Sequence, residues 1–194
     1  MRPILETERL VLRPITIADA KNYAAYVSTE DVARMTGSIA LPFPVMSAEF
    51  WIMEKLSKVR RGMSHIYVIE LAGEIAKSMI GVIDLFKRDP DGPLEIGYSL
   101  APEAWGNGYA TEACKAIINE AYETLGAKRI VAGVFADNPA SIKLLHKLGF
   151  TTKDTHQQWF SMARMEKARG IYLSLDLSGH NSPLHSGEKI AISA

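Results

Sequence analysis

One segment, residues 94–111, constrains the fold most, because it runs from a strand through a glycine-containing loop into a helix. It reads LEIGYSLAPEAWGNGYAT, and apolar spacing after Gly108 predicts a helix that continues to Leu125, with Gly126 at its end. Glycines at positions 106 and 108 let the backbone approach a ligand closely at the helix N-terminus. Free N–H groups and the helix dipole favour an anion there. The segment therefore predicts a site for a diphosphate-bearing ligand.

Two familiar nucleotide-binding loops do not match this segment. A dinucleotide-binding loop requires the pattern G-x-G-x-x-G, but Thr111 occupies the place of the third glycine. A P-loop requires Gly-Lys followed by Ser or Thr, and residues 105–110 contain no lysine. A nicotinamide-dependent oxidoreductase is therefore an alternative that rests on Gly106 and Gly108 alone.

The rest of the chain predicts strands and helices in an order that is typical of a layered α/β domain. Apolar runs and alternation predict strands at 8–13, 65–71, 78–86, 94–100, 129–136, 150–160 and 171–177. Helical spacing and cap residues predict helices at 16–27, 47–61, 108–125 and 139–148. We expect an α/β (mixed α+β) fold whose sheet has about seven strands and is flanked by about four helices. Hairpin-like connections indicate an antiparallel meander over its middle strands.

The second helix and the chain ends complete this prediction. Apolar residues of the second helix recur at helical spacing, and these are Phe50, Met53, Leu56 and Val59. Residues 29–46 contain prolines and show no periodicity, which predicts a loop. The chain of 194 residues is short for two full domains, so we expect one domain at 1–177 and a polar tail at 178–194.

Charge and cysteine content argue against several functional classes. The 22 basic residues balance the 22 acidic ones, so the chain lacks the excess positive charge that attracts nucleic acids. Cys114 is the only cysteine, and His65 and His146 have no partner at metal-ligand spacing, so we expect no disulfide and no metal site. Charged residues interrupt every apolar run before it reaches the length of a signal peptide or membrane span. We expect a cytoplasmic protein without nucleic-acid or membrane partners.

Several motifs, found in the right order, resemble the GNAT superfamily of N-acetyltransferases. Residues 105–110 match the family's diphosphate loop, Q/R-x-x-G-x-G/A, except that Trp105 occupies the first position. Further matches are TERLxLRP at 7–14, EIGY at 95–98, NxxS at 138–141 and LGF at 148–150. The likeness covers residues 5–177. Within the superfamily, the chain resembles the branch typified by the ribosomal-protein alanine acetyltransferases RimJ and RimL.

This resemblance implies a fold, a cosubstrate and a reaction. The strands at 94–100 and 129–136 are expected to splay apart and admit the pantetheine arm of acetyl-coenzyme A. The N–H of Leu100 then lies near the thioester carbonyl, where it can stabilise an oxyanion. The implied reaction is acetyl transfer to a primary amine, either a protein N-terminus or a small molecule. The residues expected to contact the cofactor are Tyr98, Ser99, Leu100, Trp105, Gly106, Asn107, Gly108, Tyr109, Ala110, Thr111, Asn138 and Ser141.

The resemblance also indicates two catalytic candidates. Glu95 is the candidate base, because the matching strand of the family often carries a carboxylate; a surface glutamate and a water chain are the alternatives. Ser141 is the candidate acid for the departing thiolate, because Leu145 replaces the tyrosine that many relatives use. That replacement leaves open a non-catalytic coenzyme A-binding protein. Asn138 can contact the cofactor or cap the next helix, and the two roles compete.

The acceptor site is expected in three segments: residues 29–46, the second helix and residues 155–167. Phe43, Trp51 and Trp159 either line an acceptor pocket or belong to the core. The sequence does not distinguish a peptide N-terminus from an antibiotic, a polyamine or an amino acid as acceptor. A homodimer in which the C-terminal strands pair across subunits is a further expectation.

Overall fold

The computed structural model describes residues 1–73 and 79–179. Its strands are β1 (Leu5–Glu6), β2 (Leu10–Pro14), β3 (Ser64–Leu71), β4 (Met79–Phe86), β5 (Leu94–Leu100), β6 (Arg129–Phe135), β7 (Thr151–Ser161) and β8 (Glu166–Asp176). Its helices are α1 (Ala20–Val27), α2 (Glu30–Ala33), α3 (Val45–Arg60), α4 (Tyr109–Leu125) and α5 (Pro139–Lys147). The predicted start of the third strand at Ser78, and the predicted tail from residue 180 onward, lie outside the described residues.

All eight strands form a single sheet, in the order β1-β2-β3-β4-β5-β6-β8-β7. Every neighbouring pair is antiparallel except β5 and β6, which run parallel. The parallel ladder in the described chain consists of Leu94 opposite Ile130 and Glu95 opposite Val131, after which the two strands separate. The mostly antiparallel, splayed sheet that the sequence predicted is therefore confirmed.

The two faces of the sheet carry different helices. Alternation along β5 directs Ile96 and Leu100 to the face covered by α4, where they join a core with Ile117 of that helix. Ser99 points to the opposite face, and its hydroxyl lies 3.0 Å from that of Tyr26 on α1. Burying a side chain such as Ile117 contributes roughly 1.5–3 kcal/mol. The faces are thus packed separately, and the gap between β5 and β6 connects them.

The recurring apolar residues of helix α3 do not all face the core: Leu56 packs against it, whereas Val59 is exposed. Phe50 and Met53 are exposed, whereas Ala48 and Ile52 are fully buried. The small Ala48 lets the helix approach the sheet, and neighbouring Trp51 stacks on Tyr23 with ring centroids 4.2 Å apart. Apolar spacing alone could not choose this side, because α3 carries apolar residues around most of its circumference.

Other differences from the prediction are small. The sheet gains the two-residue strand β1, and the region predicted as a loop at 29–46 contains the four-residue helix α2 and the start of α3. Strand β8 begins at Glu166, five residues before the predicted start, because its polar first half pairs with β7 in a hairpin. Within the described ranges, we found no helix with the length and apolar character needed to span a membrane.

Candidate active site

The gap between β5 and β6 opens into a cavity of about 1150 Å³. Its walls include the facing strand segments 96–100 and 132–135. On one face of the sheet it is lined by the start of α4 and by α5, and on the other by Tyr23 and Trp51. The cavity therefore passes through the sheet, so two ligands that enter from opposite faces can meet inside it.

Backbone groups at the end of β5 point into this gap. The N–H of Ala101 donates to the carbonyl of Ile80 on β4 at 2.9 Å. Because peptide groups alternate in direction along a strand, the N–H groups of Tyr98 and Leu100 point away from β4, toward β6. The ladder to β6 has ended at Glu95, so no strand of the described chain accepts these two hydrogen bonds.

The loop that follows β5 presents the N-terminus of α4 to the cavity. Gly106 and Gly108 have φ angles of 79° and 80°, in the left-handed region that costs other residues about 1–2 kcal/mol. Gly108 is the N-cap of α4, so the free N–H groups of the first turn face the cavity. The indole N–H of Trp105 donates to the carbonyl of Leu100 at 2.9 Å, which ties this loop to the end of β5.

An N-terminal segment braces the same loop from outside. The guanidinium of Arg9 donates to the carboxylate of Glu112 at 2.8 Å and to the carbonyl of Asn107 at 3.1 Å. The hydroxyl of Thr7 donates to Glu112 at 2.6 Å. Burial alone would raise the pKa of Glu112, but these hydrogen bonds from Thr7 and Arg9 outweigh it and lower the pKa. The ionised Glu112 thus anchors the segment at 7–9 to the first turn of α4.

Two hydroxyl groups meet on the α5 side of the gap. The hydroxyl of Tyr98, from β5, lies 2.7 Å from that of Ser141, from α5. Burial raises the pKa of Tyr98 well above its usual value, so this hydroxyl stays protonated at neutral pH. The side chain of Asn138 caps α5, because its Oδ1 accepts from the N–H of Ser141 at 3.1 Å. Leu145 is fully buried in the core.

Glu95 lies on the opposite face, in a separate cavity of about 330 Å³. Its carboxylate accepts two hydrogen bonds of 2.6 Å from the guanidinium of Arg88. This pairing raises the pKa of Arg88, although its burial acts in the opposite direction. The smaller cavity is also lined by Gln157, Trp159 and Tyr172.

Aromatic rings and one ion pair line the large cavity on the face of α1 and α3. Tyr23 and Trp51 are stacked, and the ammonium of Lys55 lies 5.2 Å from the Trp51 ring centroid. Lys55 is paired at 2.7 Å with Asp84, which also accepts from the hydroxyl of Ser64 at 2.7 Å. Of the three aromatic candidates, Trp51 and Trp159 line this cavity. The third, Phe43, is buried behind Tyr23, with ring centroids 6.1 Å apart.

A set of hydrogen bonds joins the turn after β7 to the segment after α2, beside this part of the cavity. Arg164 forms ion-paired hydrogen bonds of 2.8 and 3.0 Å with Asp137 and donates to the carbonyl of Arg34 at 2.8 Å. The N–H of Met162 donates to the carbonyl of Gly37 at 3.3 Å. The hydrogen bonds from Arg164 are the main reason that the pKa of Asp137 is lowered. The two parts of the sheet, β1–β5 and β6–β8, are therefore linked across the gap between β5 and β6.

Comparisons with known proteins agree with this geometry. The family model of the acetyltransferase (GNAT) domain matches residues 9–151. The chain belongs to this family.

Two bacterial relatives of the acetyltransferase are similar over most of their length. The N-acetyltransferase YoaA of Bacillus subtilis is 34% identical over 164 residues, which cover 82% of this chain and 89% of YoaA. The N-acetyltransferase p20 of Bacillus licheniformis is 31% identical over 170 residues, covering 86% and 89% of the two chains. Among solved structures, Mycobacterium smegmatis RimJ in complex with CoA-disulfide has a TM-score of 0.76 at 19% identity, covering 88% of this chain and 83% of RimJ. The acetyltransferase thus shares the fold of the branch that its sequence resembles.

As a GNAT enzyme, the protein is an acetyl-coenzyme A-dependent acyltransferase, and its residues fit that cosubstrate. The left-handed glycines expose the N-terminus of α4, which is suited to an anion, and the separated strands leave backbone N–H groups from which an extended ligand could accept hydrogen bonds. All the predicted cofactor residues line the large cavity except Asn107, whose amide instead folds back onto the carbonyl of Trp105. Within the two described ranges, no three His, Cys, Asp or Glu side chains are grouped to hold a metal ion.

The structure brings some of the predicted site residues together and separates others. Ser141 lies at the large cavity together with the loop, whereas Glu95 lies at the smaller one. Sequence reasoning missed the brace by Arg9 and the partnership of Tyr98 with Ser141. The signals were present, since Arg9 belongs to the N-terminal motif and Tyr98 to the EIGY motif, but no spacing indicated these contacts.

Proposed function

We propose that this acetyltransferase moves an acetyl group from acetyl-coenzyme A to a primary amine, either a protein N-terminus or a small molecule. The main support for this proposal is the large cavity, the passage that runs through the sheet between β5 and β6. The thioester would enter from the α4 face and the amine from the α1 face. The amine nitrogen would attack the thioester carbon directly, forming a C–N bond while the C–S bond breaks.

The cosubstrate would be held mainly by backbone groups. The N-terminus of α4, with Gly106 and Gly108, would bind the diphosphate, and the N–H of Tyr98 would bind the pantetheine arm. The N–H of Leu100 would donate to the thioester oxygen as negative charge develops there. One preorganised donor of this kind contributes roughly 10²–10³ in rate. The Nδ2 of Asn138 is not used in capping α5 and would contact pantetheine, so the two competing roles can coexist.

Ser141 would protonate the departing thiolate. Its hydroxyl lies in the passage, and Tyr98 hydrogen-bonds to it at 2.7 Å. Tyr98 would orient this hydroxyl and, because its own pKa is raised by burial, would remain a proton donor throughout. A tyrosine from β5 would thereby support Ser141 in this role, although Leu145 replaces the tyrosine that many relatives use.

Glu95 would accept the proton that the attacking ammonium loses. Its carboxylate is held by Arg88 and faces the smaller cavity, so the proton would reach it through water rather than by direct contact. A water chain that leads from the amine to solvent without Glu95 is the alternative. Replacing Glu95 by glutamine distinguishes these two routes, because loss of a general base should lower the rate by about 10²–10⁴-fold.

An acceptor screen tests this proposal. Acetyl-coenzyme A and peptides or small amines are incubated with the enzyme, and thiol release is measured together with the mass of the acetylated product. We expect Ser141→Ala to lower kcat with little change in acetyl-coenzyme A affinity, and Glu95→Gln to lose activity that partly returns at high pH. Tight binding of coenzyme A without thiol release for any amine would instead indicate a non-catalytic binding protein.

Three further parts of the proposal concern the whole chain. We place the catalytic domain at residues 1–177 and the reaction in the cytoplasm, where the single Cys114 needs no disulfide partner. We also propose a homodimer through β7, which is an edge strand of the sheet. Light scattering after gel filtration would measure its mass, and a monomer at micromolar concentration would contradict this part alone.

A further inference from the structure

The indole ring of Trp159 lies directly on two glycines of neighbouring strands. A Cβ atom built on Gly170 of β8 would lie 2.2 Å from two carbons of this ring. A Cβ atom built on Gly133 of β6 would lie 3.0 Å from the tip of the ring. The edge of Phe135 also contacts the ring, with centroids 6.1 Å apart. The ring can therefore lie flat across β8 and reach β6 only because both positions lack a side chain.

This position makes the ring a wall between two cavities. The large and small cavities share three lining residues, which are Arg88, Gly133 and Trp159. In front of the ring lie the passage through the sheet and the stacked rings of Tyr23 and Trp51. Behind it lies the space of about 330 Å³ that contains polar groups of Glu95, Gln157 and Tyr172.

We propose that Trp159 determines the length of the acceptor amine by closing the large cavity in front of the smaller one. This inference rests on the proposed function, because it assigns the space on the α1 face to the amine. An amine whose non-reacting part ends in front of the ring is accepted, and a longer one is rejected. Removing the ring joins the two cavities and admits the longer chain.

The size of the effect follows from how tightly apolar pockets discriminate. One methylene group that does not fit changes specificity by about 10- to 200-fold. A methyl group on Gly170 would push the ring away from the sheet, so it should also change the length preference. The contact at Gly133 is looser, 3.0 Å instead of 2.2 Å, so an alanine there should have the smaller effect.

The experiment compares benzylamine with 4-phenylbutylamine, which carries three more methylene groups before its ring. We expect Trp159→Ala to raise the ratio of kcat/KM for the long amine to that for the short one by about tenfold or more, with the KM for acetyl-coenzyme A unchanged. Gly170→Ala, in which the indole is kept but displaced, provides a second test if Trp159→Ala is unstable, because it should also change this ratio. Gln158→Ala, an exposed position on the same strand, is the matched control and should keep the parent ratio.

Calorimetry separates failure of this inference from failure of the proposed function. Binding of the two amines is measured on the coenzyme A-bound protein, so the length preference is visible even without turnover. One informative result is that the parent releases no thiol with any amine while Trp159→Ala still gains affinity for the long amine. That result would support the separation of the two cavities by Trp159 and would contradict the proposed acetyl transfer. An unchanged ratio in both Trp159→Ala and Gly170→Ala, or no binding of either amine by any variant, overturns the inference.

Discussion

The proposed diphosphate loop can be tested with one substitution, because a single added methyl group changes its backbone preference and little else. Gly106 has a φ of 79°, and a Cβ atom built there meets no atom within 4 Å. Gly106→Ala therefore introduces no clash, and its cost comes from the left-handed conformation, about 1–2 kcal/mol for a residue other than glycine. In the free protein the loop can relax and avoid this cost. Binding of coenzyme A restores the strained conformation, so the affinity should fall about 5- to 30-fold.

Gly126 supplies a matched control for this perturbation. It ends α4 with a φ of 61°, and a Cβ atom there also meets nothing within 4 Å. Gly126→Ala should therefore lower the free energy of unfolding by about 1–2 kcal/mol while leaving the affinity for coenzyme A unchanged. Gly106→Asn should recover part of the affinity, because asparagine tolerates the left-handed region better than alanine.

For each variant, calorimetric titration measures the affinity for coenzyme A, and urea unfolding measures the free energy of unfolding. Arg9 holds the loop by donating to the carbonyl of Asn107, and Trp105 holds it by donating to the carbonyl of Leu100; neither hydrogen bond involves Gly106 itself. We therefore expect most of the cost at Gly106 to appear in affinity and the rest in stability. If Gly106→Ala binds coenzyme A within twofold of the parent and unfolds at the same urea concentration, the strained loop is not the diphosphate site.

Three further predictions concern stability and reactivity. Burial alone would raise the pKa of Asp19, but hydrogen bonds from Arg13 and Thr16 outweigh it and lower the pKa. The stabilisation by Asp19 is therefore present above its unfolded pKa of about 3.9 and is lost as the pH falls through its folded pKa. In urea unfolding between pH 6 and 3, the free energy of unfolding should therefore decline less steeply for Asp19→Asn than for the parent. Cys114 is buried and burial raises the pKa of its thiol, so a disulfide reagent should label it only after unfolding, and rapid labelling of the native protein would contradict its place in the core. Ile52→Ala should lower the free energy of unfolding by about 2–5 kcal/mol, whereas Phe50→Ala should change it by less than about 0.5 kcal/mol, and the reverse order would show that α3 packs through its other side.

Local features of the sequence determined the loop and the helix ends that we propose bind the cofactor. Gly106 and Gly108 were recognisable because only glycine adopts the left-handed turns at low cost, and that preference does not depend on distant residues. The cap at Asn138 and the end of α4 at Gly126 depend on neighbours within one helical turn. The order of strands and helices predicted a mixed α/β sheet, and the resemblance of several motifs to the GNAT family implied that its two central strands separate.

Only the tertiary structure decided the shape of the proposed acceptor side and the partners of the catalytic candidates. Tyr98 meets Ser141 across 43 residues of sequence, and Arg9 meets Glu112 across 103. Alternation along β5 gives Glu95 a face of the sheet, but it does not show that Arg88 holds its carboxylate or that Trp159 closes the cavity in front of it. Such contacts depend on which side chains the packing of separate elements brings within a few ångströms. Because that packing is set by the whole core rather than by any one segment, no local pattern in the sequence contains it.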